Sequence, residues 1–448
     1  MLITHGNLVT MAEGNAIIPD GALLLRGQRI AALGPSAALE AAYPDEPRLD
    51  ARGQWALPGM ICAHTHFYGA LARGISLPGP APANLSQILE HLWWRLDKAL
   101  QPEDIYESAR VCLVDAIQHG TTTLIDHHAS PHAIAGSLDV IAQAVQEAGV
   151  RACLCYEVSD RDGPDVAQAG LEENVRFIRR TRHRECSGDS RLTSAFGLHA
   201  SFTLSDETLE QAVGLARALG VGFHIHLAEG EVDVQDALAR GGTRTAERLA
   251  RAGVLGPRTI AAHGVHLDAA EITLLHETGT YVVHNPRSNM NNGVGVAPVA
   301  QMLVAGVPVG LGNDGFSNNM FAEVATAYLL PRLAARDPRA LSASQVMEMA
   351  FGHNGRLAST LFAQPLGRLA VGAGADVILV DYAPPTPVTA ENWPWHVLFG
   401  LDGSQVTTTI VAGEVLMRDR VLTHLDTAEI AVRARERAAQ LWRRLAGE

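Results

Sequence analysis

Between residues 56 and 365, eight short apolar runs each end in a residue that can titrate or bind a metal. The endings are His64 and His66, Asp126 and His127, Glu157, His199, His226, His263, His284 and Asp314. From His127 onward the gaps are 30, 42, 27, 37, 21 and 30 residues, each with room for one helix. Strands alternating with helices at this spacing are repeated βα units. Eight of them predict an α/β chain with a (β/α)8 TIM-like barrel, whose chemistry sits at the C-terminal strand ends. The 61-residue gap from His66 to His127 must hold an excursion, and Pro78-Gly79-Pro80-Ala81-Pro82 reads as a loop in it.

The two ends of the chain read differently. Gly21–Arg26, the turn Gly27-Gln28 and Arg29–Gly34 form a hairpin pattern. Ala375–Asp381 and Thr407–Ala412 read as strands, with Gly413-Glu414 turning into Val415–Arg418. A last helix is expected from Asp426, with Glu429 three residues on. The expected organisation is a small composite β-sandwich domain of residues 1–55 plus 366–448 with a C-terminal helix, and an inserted barrel of residues 56–365.

Charge narrows the partners. The formal net charge is −13, which disfavours a phosphate backbone. The arginine-dense run Arg176 to Arg184 reads as a solvated helix. No nucleic acid partner is expected. Nor is a membrane partner, since no apolar run reaches the roughly 18–20 residues of a span. The N-terminal residues lack the pattern of a signal peptide. The five cysteines, Cys62, Cys112, Cys153, Cys155 and Cys186, form no CxxC, which suggests inert buried thiols in a reducing cytoplasm. Of 35 basic residues only Lys98 is a lysine, so any chemistry that needs a lysine has this position alone.

His64-Thr65-His66 closes an apolar strand, and residues i and i+2 face the same side. Two imidazoles there can share one divalent ion, although such a pair also occurs as a polar strand end. His224-Ile225-His226 repeats the theme, with Glu229 just beyond. Ala262-His263-Gly264, His284-Asn285-Pro286 and Asn313-Asp314-Gly315 follow similar apolar runs. Any one of them suits a satisfied rim residue, but the set together points to a metal-centred site.

These motifs resemble the amidohydrolase superfamily, in its mononuclear deaminase and chlorohydrolase branch. The likeness runs through Asp20-Gly21, Pro58-Gly59, Arg73-Gly74, Gly120–Thr123, His226–Glu229, Ala262–Gly264, Ser288-Asn289, Asn313–Gly315 and Leu366–Asp376. Within the branch, His284–Gly293 and Tyr156–Gly163 look most like the aminohydrolase associated with selenium-dependent molybdenum hydroxylases. The resemblance implies His64, His66, His226 and Asp314 as metal ligands, and three imidazoles with one carboxylate suit Zn²⁺ or Fe²⁺. It implies Glu229 as the proton shuttle, His263 as the partner of the nucleophilic water, Asp314 as a proton acceptor and His199 as a substrate contact. Tyr68 and Glu157 sit on strand-end loops as further candidate contacts, beside Asp160 and Arg287, while Trp93 and Trp94 read as packing. His127, His128, His224 and His284 have no assigned role. Two-metal relatives bridge their ions with a carboxylated lysine at a middle strand end. Lys98 lies earlier, in a helical pattern, so one metal is expected.

The implied activity is hydrolytic deamination of an amino-substituted purine, pterin or pyrimidine in a cytoplasmic homodimer or larger homo-oligomer. Dechlorination of a triazine is one rival, and hydrolysis of a cyclic amide or formimino bond is another. A catalytically silent metal-binding partner protein is the reading from a different class.

Overall fold

The structure, a computed structural model, describes residues 1–12, 16–76, 79–185 and 191–447. Cys186 and Pro78 lie outside the described residues. Eight parallel strands carry the middle of the chain: Met60–Thr65, Thr121–Asp126, Arg151–Leu154, Phe196–Ala200, Phe223–Leu227, Ile260–His263, Tyr281–His284 and Val309–Leu311. The first three and the short Leu192–Ser194 form one sheet, and the other five form a second. Isolated bridges pair Thr65 with Asp314, past the end of the eighth strand, and Val158, past the end of the third, with Leu198. Below the polar strand ends, Ile61, Ala63, Ile125, Cys153, Ile260 and Val283 pack into an apolar floor. Pairing in the first strand becomes irregular between Cys62 and Thr65. Such a break re-aims side chains, and it falls where the strand passes from core Ala63 to His64.

The helices follow local chemistry. After the fourth strand, Ser205 accepts from the Thr208 N–H to start the helix Asp206–Leu219. Gly220, at φ 58°, ends it in the left-handed conformation that glycine adopts cheaply. Arg176 falls in the helix Pro164–Glu185 and pairs with Glu173 and Asp139. The long first gap holds a 3-10 turn, Phe67–Ala72, a broken helix from Leu85 to Ala99 with a π turn at Leu89–Trp93, and the helix Pro102–Gln118. Lys98 lies in the last part of the broken helix and pairs with Asp162.

Strands from the two ends of the chain share one nine-stranded sheet. Its order is Val421–Leu422, Glu414–Arg418, Val406–Val411, Val377–Val380, Trp55–Pro58, Leu2–Val9, Ile17–Arg26 and Arg29–Pro35, with Arg48–Asp50 beside Leu2–Val9. The hairpin closes with Arg26 opposite Arg29. The sheet has its own apolar cluster, including Ile3, Leu23, Ile30, Ala375 and Leu379. The last helix, Thr427–Ala446, starts on the Asp426 carboxylate and packs on Pro102–Gln118, with Arg110 2.7 Å from Glu429. Among the described residues no helix is long and apolar enough to cross a membrane.

Candidate metal centre and active site

Three imidazoles meet at the mouth of the barrel, and each spends its Nδ1 on the protein. His66 Nδ1 is 2.6 Å from the His127 carbonyl, and His226 Nδ1 is 2.8 Å from the His199 carbonyl. A carbonyl only accepts, so both Nδ1 atoms carry the proton and both Nε2 atoms present lone pairs. Those two Nε2 atoms face each other at 3.2 Å. His64 Nδ1 lies 2.8 Å from His224 Nε2, and its own Nε2 is buried with no hydrogen-bond partner among the described residues. Asp314 closes the group, with Oδ1 3.1 Å from His66 Nε2 and 3.6 Å from His64 Nε2.

Lone pairs converging on a carboxylate at this range repel one another unless a cation or a proton lies between them. Burial disfavours a charged His66, yet the neighbouring Asp314 lifts it to about 9. Burial likewise opposes charge on Asp314, but the His64 and His66 rings hold it well below the usual carboxylate range. His64, buried more decisively, falls to about 3. Three imidazoles and one carboxylate, oriented by their outer hydrogen bonds, form a donor set that fits a divalent metal.

The eighth strand brings Asp314 close because Gly312 has no side chain. A Cβ there would lie 2.5 Å from Asn285 Oδ1 and 2.7 Å from the His64 carbonyl. Asp314 itself has φ 56° and His263 has φ 75°. Non-glycine residues held in that region cost about 1–3 kcal/mol each and collect at functional sites.

Around the ligand group stand the proton-handling side chains. His263 Nδ1 meets Asn289 Oδ1 at 2.8 Å. Its Nε2 has no partner among the described residues and lies 3.6 Å from Glu229 Oε2. Nitrogens of His64 and His263 and an oxygen of Asp314 also lie within 4.8 Å of one another. Glu229 accepts from Asn292 Nδ2 at 3.3 Å, and burial pushes its carboxyl up. Ser288 Oγ donates to Asp314 Oδ2. Ser288 and Asn289 entered the sequence reading only as part of a matching motif; their contacts give each a function in holding Asp314 and His263.

A cavity opens onto this group and is lined by Tyr68, Glu157, His199, Glu229, Trp93 and Trp94, among others. Trp93 and Trp94, expected to be packing, are walls of the cavity, because the broken helix lies over the barrel mouth. Glu157 lies beyond the third strand, which ends at Leu154. Its backbone N–H is bonded to the His128 carbonyl at 2.7 Å. Its carboxylate reaches within 3.6 Å of His199 Nε2 and 3.4 Å of His127 Nδ1, and burial lifts it to about 7. Asp160 and Arg287 hold loops: Asp160 accepts from Ser205 N and Thr208 Oγ1, and Arg287 is bound to Glu323 Oε1 at 2.6 Å and to the Ser317 carbonyl. His128 is tied to Ser130 Oγ. His284 is fully buried, and neither ring nitrogen has a partner among the described residues. Lys98 is directed to Asp162 and is absent from the cavity lining.

Comparison with known proteins places this geometry in a family. The amidohydrolase family profile matches residues 55–416, and a profile of the imidazolonepropionase-like composite domain of bacteria matches residues 21–45. The chain is 33% identical over 447 residues to a 5-methylthioadenosine/S-adenosylhomocysteine deaminase of Pelotomaculum thermopropionicum, covering 98% of each chain. It is 32% identical over 445 residues to a 5'-deoxyadenosine deaminase of Methanosarcina mazei, again covering 98% of each. The crystal structure of an adenosine deaminase from Xanthomonas campestris with bound zinc superposes with a TM-score of 0.85 at 28% identity, covering 100% of this chain and 98% of that one. The chain belongs to the amidohydrolase family and is a hydrolase that acts on carbon–nitrogen bonds.

Proposed function

We propose that the protein is a metal-dependent aminohydrolase that deaminates an amino-substituted heterocycle of the purine type. The observation that carries this reading is the meeting of the His64, His66 and His226 rings with Asp314 at the barrel mouth, the Nε2 atoms of His66 and His226 3.2 Å apart and Asp314 Oδ1 3.1 Å from His66 Nε2, with Glu229 and His263 beside them. The relatives named above, deaminases of adenosine-type compounds, support the purine class. His64, His66 and His226 would hold the metal through Nε2, and Asp314 through Oδ1. Zn²⁺ is our assignment, with Fe²⁺ as the alternative. When bound, such an ion lowers the pKa of water from about 15.7 toward ~7 and so supplies a nucleophile at neutral pH.

The chain's own residues do the rest. His263 Nε2, with no competing partner, and Asp314 accept the proton of the attacking water. Glu229, whose carboxyl burial pushes up, donates its proton to the ring nitrogen next to the amine-bearing carbon. The electrons of that C=N bond then end on a protonated nitrogen rather than an anion, and a second proton lets ammonia leave. Trp93, Trp94 and Phe202 supply apolar walls to the cavity.

The direct test is ammonia release by metal-loaded protein supplied with adenosine, 5'-deoxyadenosine, 5'-methylthioadenosine, guanine and pterins. Release from at least one purine is expected; metal-loaded protein that releases none across the panel overturns the reading. A second expectation concerns His224, whose Nε2 faces His64 Nδ1. Replacing such an outer partner typically weakens metal affinity about 10–100-fold. His224→Ala should show that loss in a chelator competition, and unchanged affinity would remove His224 from the centre.

A further inference from the structure

Among the described residues ten large apolar side chains are exposed, and five of them share one face. Leu329 and Leu333 lie on the helix Met320–Ala335, Trp395 and Phe399 on the helix Trp393–Gly400, and Met290 on the helix Pro286–Asn292. The first of these helices packs against both of the others. Ring contacts make the face continuous. The Trp395 and Phe399 rings are stacked 6.1 Å apart and lie 5.8 and 5.9 Å from the Tyr328 ring. The Arg332 guanidinium sits 3.9 Å from the centre of that same ring and borders a groove lined by Met290, Leu329, Leu333 and Pro338. Arg332 is held down rather than solvated, since it donates to the Pro338 and Leu341 carbonyls. Glu323, the one acid of these three helices, is fully buried against Arg287. Asp337, at the rim of the groove, is paired with Arg339. On a chain of net charge −13, these helices present no carboxylate to solvent.

At exposures of 45% to 76%, five side chains of this size present on the order of 500 Å² of apolar surface, in the upper part of the range for a soluble monomer. A standard interface covers about 800 Å² on each partner, and in homodimers about 65% of that is apolar. The bare surface therefore matches what one side of a stable dimer needs. We propose that this face is the contact between two copies of this chain, related by a two-fold axis. Two observations select a second copy as the occupant. Copies of an acidic chain repel one another, and the repulsion is least where neither shows a carboxylate. The face also carries its own complement, because the stacked Trp395 and Phe399 rings stand beside the groove. A two-fold rotation seats the rings of each copy in the groove of the other and closes the assembly at two. The contact backs onto the site, since Ser288 and Asn289, which hold Asp314 and His263, share a helix with Met290.

The test is sedimentation of the full chain over a range of concentrations. The wild type should sediment with twice the mass of one chain. Leu333→Asp and Phe399→Asp, both at exposed positions, should each raise the dissociation constant about 100-fold and shift the protein toward single chains. Val371→Asp is the control. Val371 is as exposed as Phe399, but it adjoins Gly372, which is bonded to Ile30 of the terminal sheet. Its replacement should leave the mass unchanged. Hydrogen exchange of the wild type needs no variant: residues 328–336 and 395–400 should exchange more slowly in concentrated than in dilute protein. A wild type that stays a single chain at the highest concentration overturns the proposal, and if that single chain floats with neutral lipid vesicles the face is a membrane contact instead. A double mass kept by both variants places the contact elsewhere. Dissociation of Val371→Asp as well, or exchange at the two segments that ignores concentration, also overturns it.

Discussion

Glu229→Gln should keep its metal and lose about 10²–10⁴ in turnover, the usual contribution of a positioned general acid. The substitution preserves shape and the hydrogen bond from Asn292 Nδ2, because the amide oxygen still accepts. It removes only the transferable proton. Glu229 is no part of the proposed ligand set, so metal stoichiometry should stay at one per chain by elemental analysis. The loss should fall on kcat more than on KM, as expected when an interaction is made only in the transition state. Full turnover in the variant would assign the proton to another group. Turnover lost together with the metal would make Glu229 part of the ion's own surroundings.

Much of this site was legible in the sequence because its members sit at strand ends. An apolar run that terminates in His64-x-His66 or His224-x-His226 states both the strand and the side its last residues face. The sequence did not specify which ring atom each histidine offers. That depends on carbonyls of other strands, His127 for His66 and His199 for His226, and hence on the sheet register. The roles of Trp94 and Arg161 were hidden for a different reason. Trp93-Trp94 sits in a helical pattern that reads equally well as packing, and only the course of the chain between Leu85 and Ala99 lays it over the cavity. Arg161 is one arginine among 34, and only the fold brings it beside Asp97 and Trp94 in the cavity wall. The short-stranded character of both chain ends was easier to read, because strands with glycine turns mark residues 21–35 and 407–418 alike.

Arg151→Met should cost about 3–5 kcal/mol of stability, the largest effect expected from a single substitution outside the cavity. Arg151 begins the third barrel strand and is fully buried. Its Nε and Nη2 reach Asp376 Oδ2 and Oδ1 at 2.7 and 3.1 Å, a two-pronged pair between the barrel and the sheet of the chain ends. Asp376 also accepts the Ala412 N–H at 2.7 Å. Removing the guanidinium leaves a buried carboxylate with that one donor, and water has little access to compensate. The expected readout is a lower denaturant midpoint with metal-loaded protein on both sides of the comparison. Arg151→Met combined with Asp376→Leu should recover much of the loss, since an apolar pair of similar volume carries no stranded charge. A single substitution that costs less than about 1 kcal/mol would mean that the carboxylate finds water or another donor. The junction between barrel and sheet would then rest on apolar contacts such as Ile378 and Val406 against Gly120.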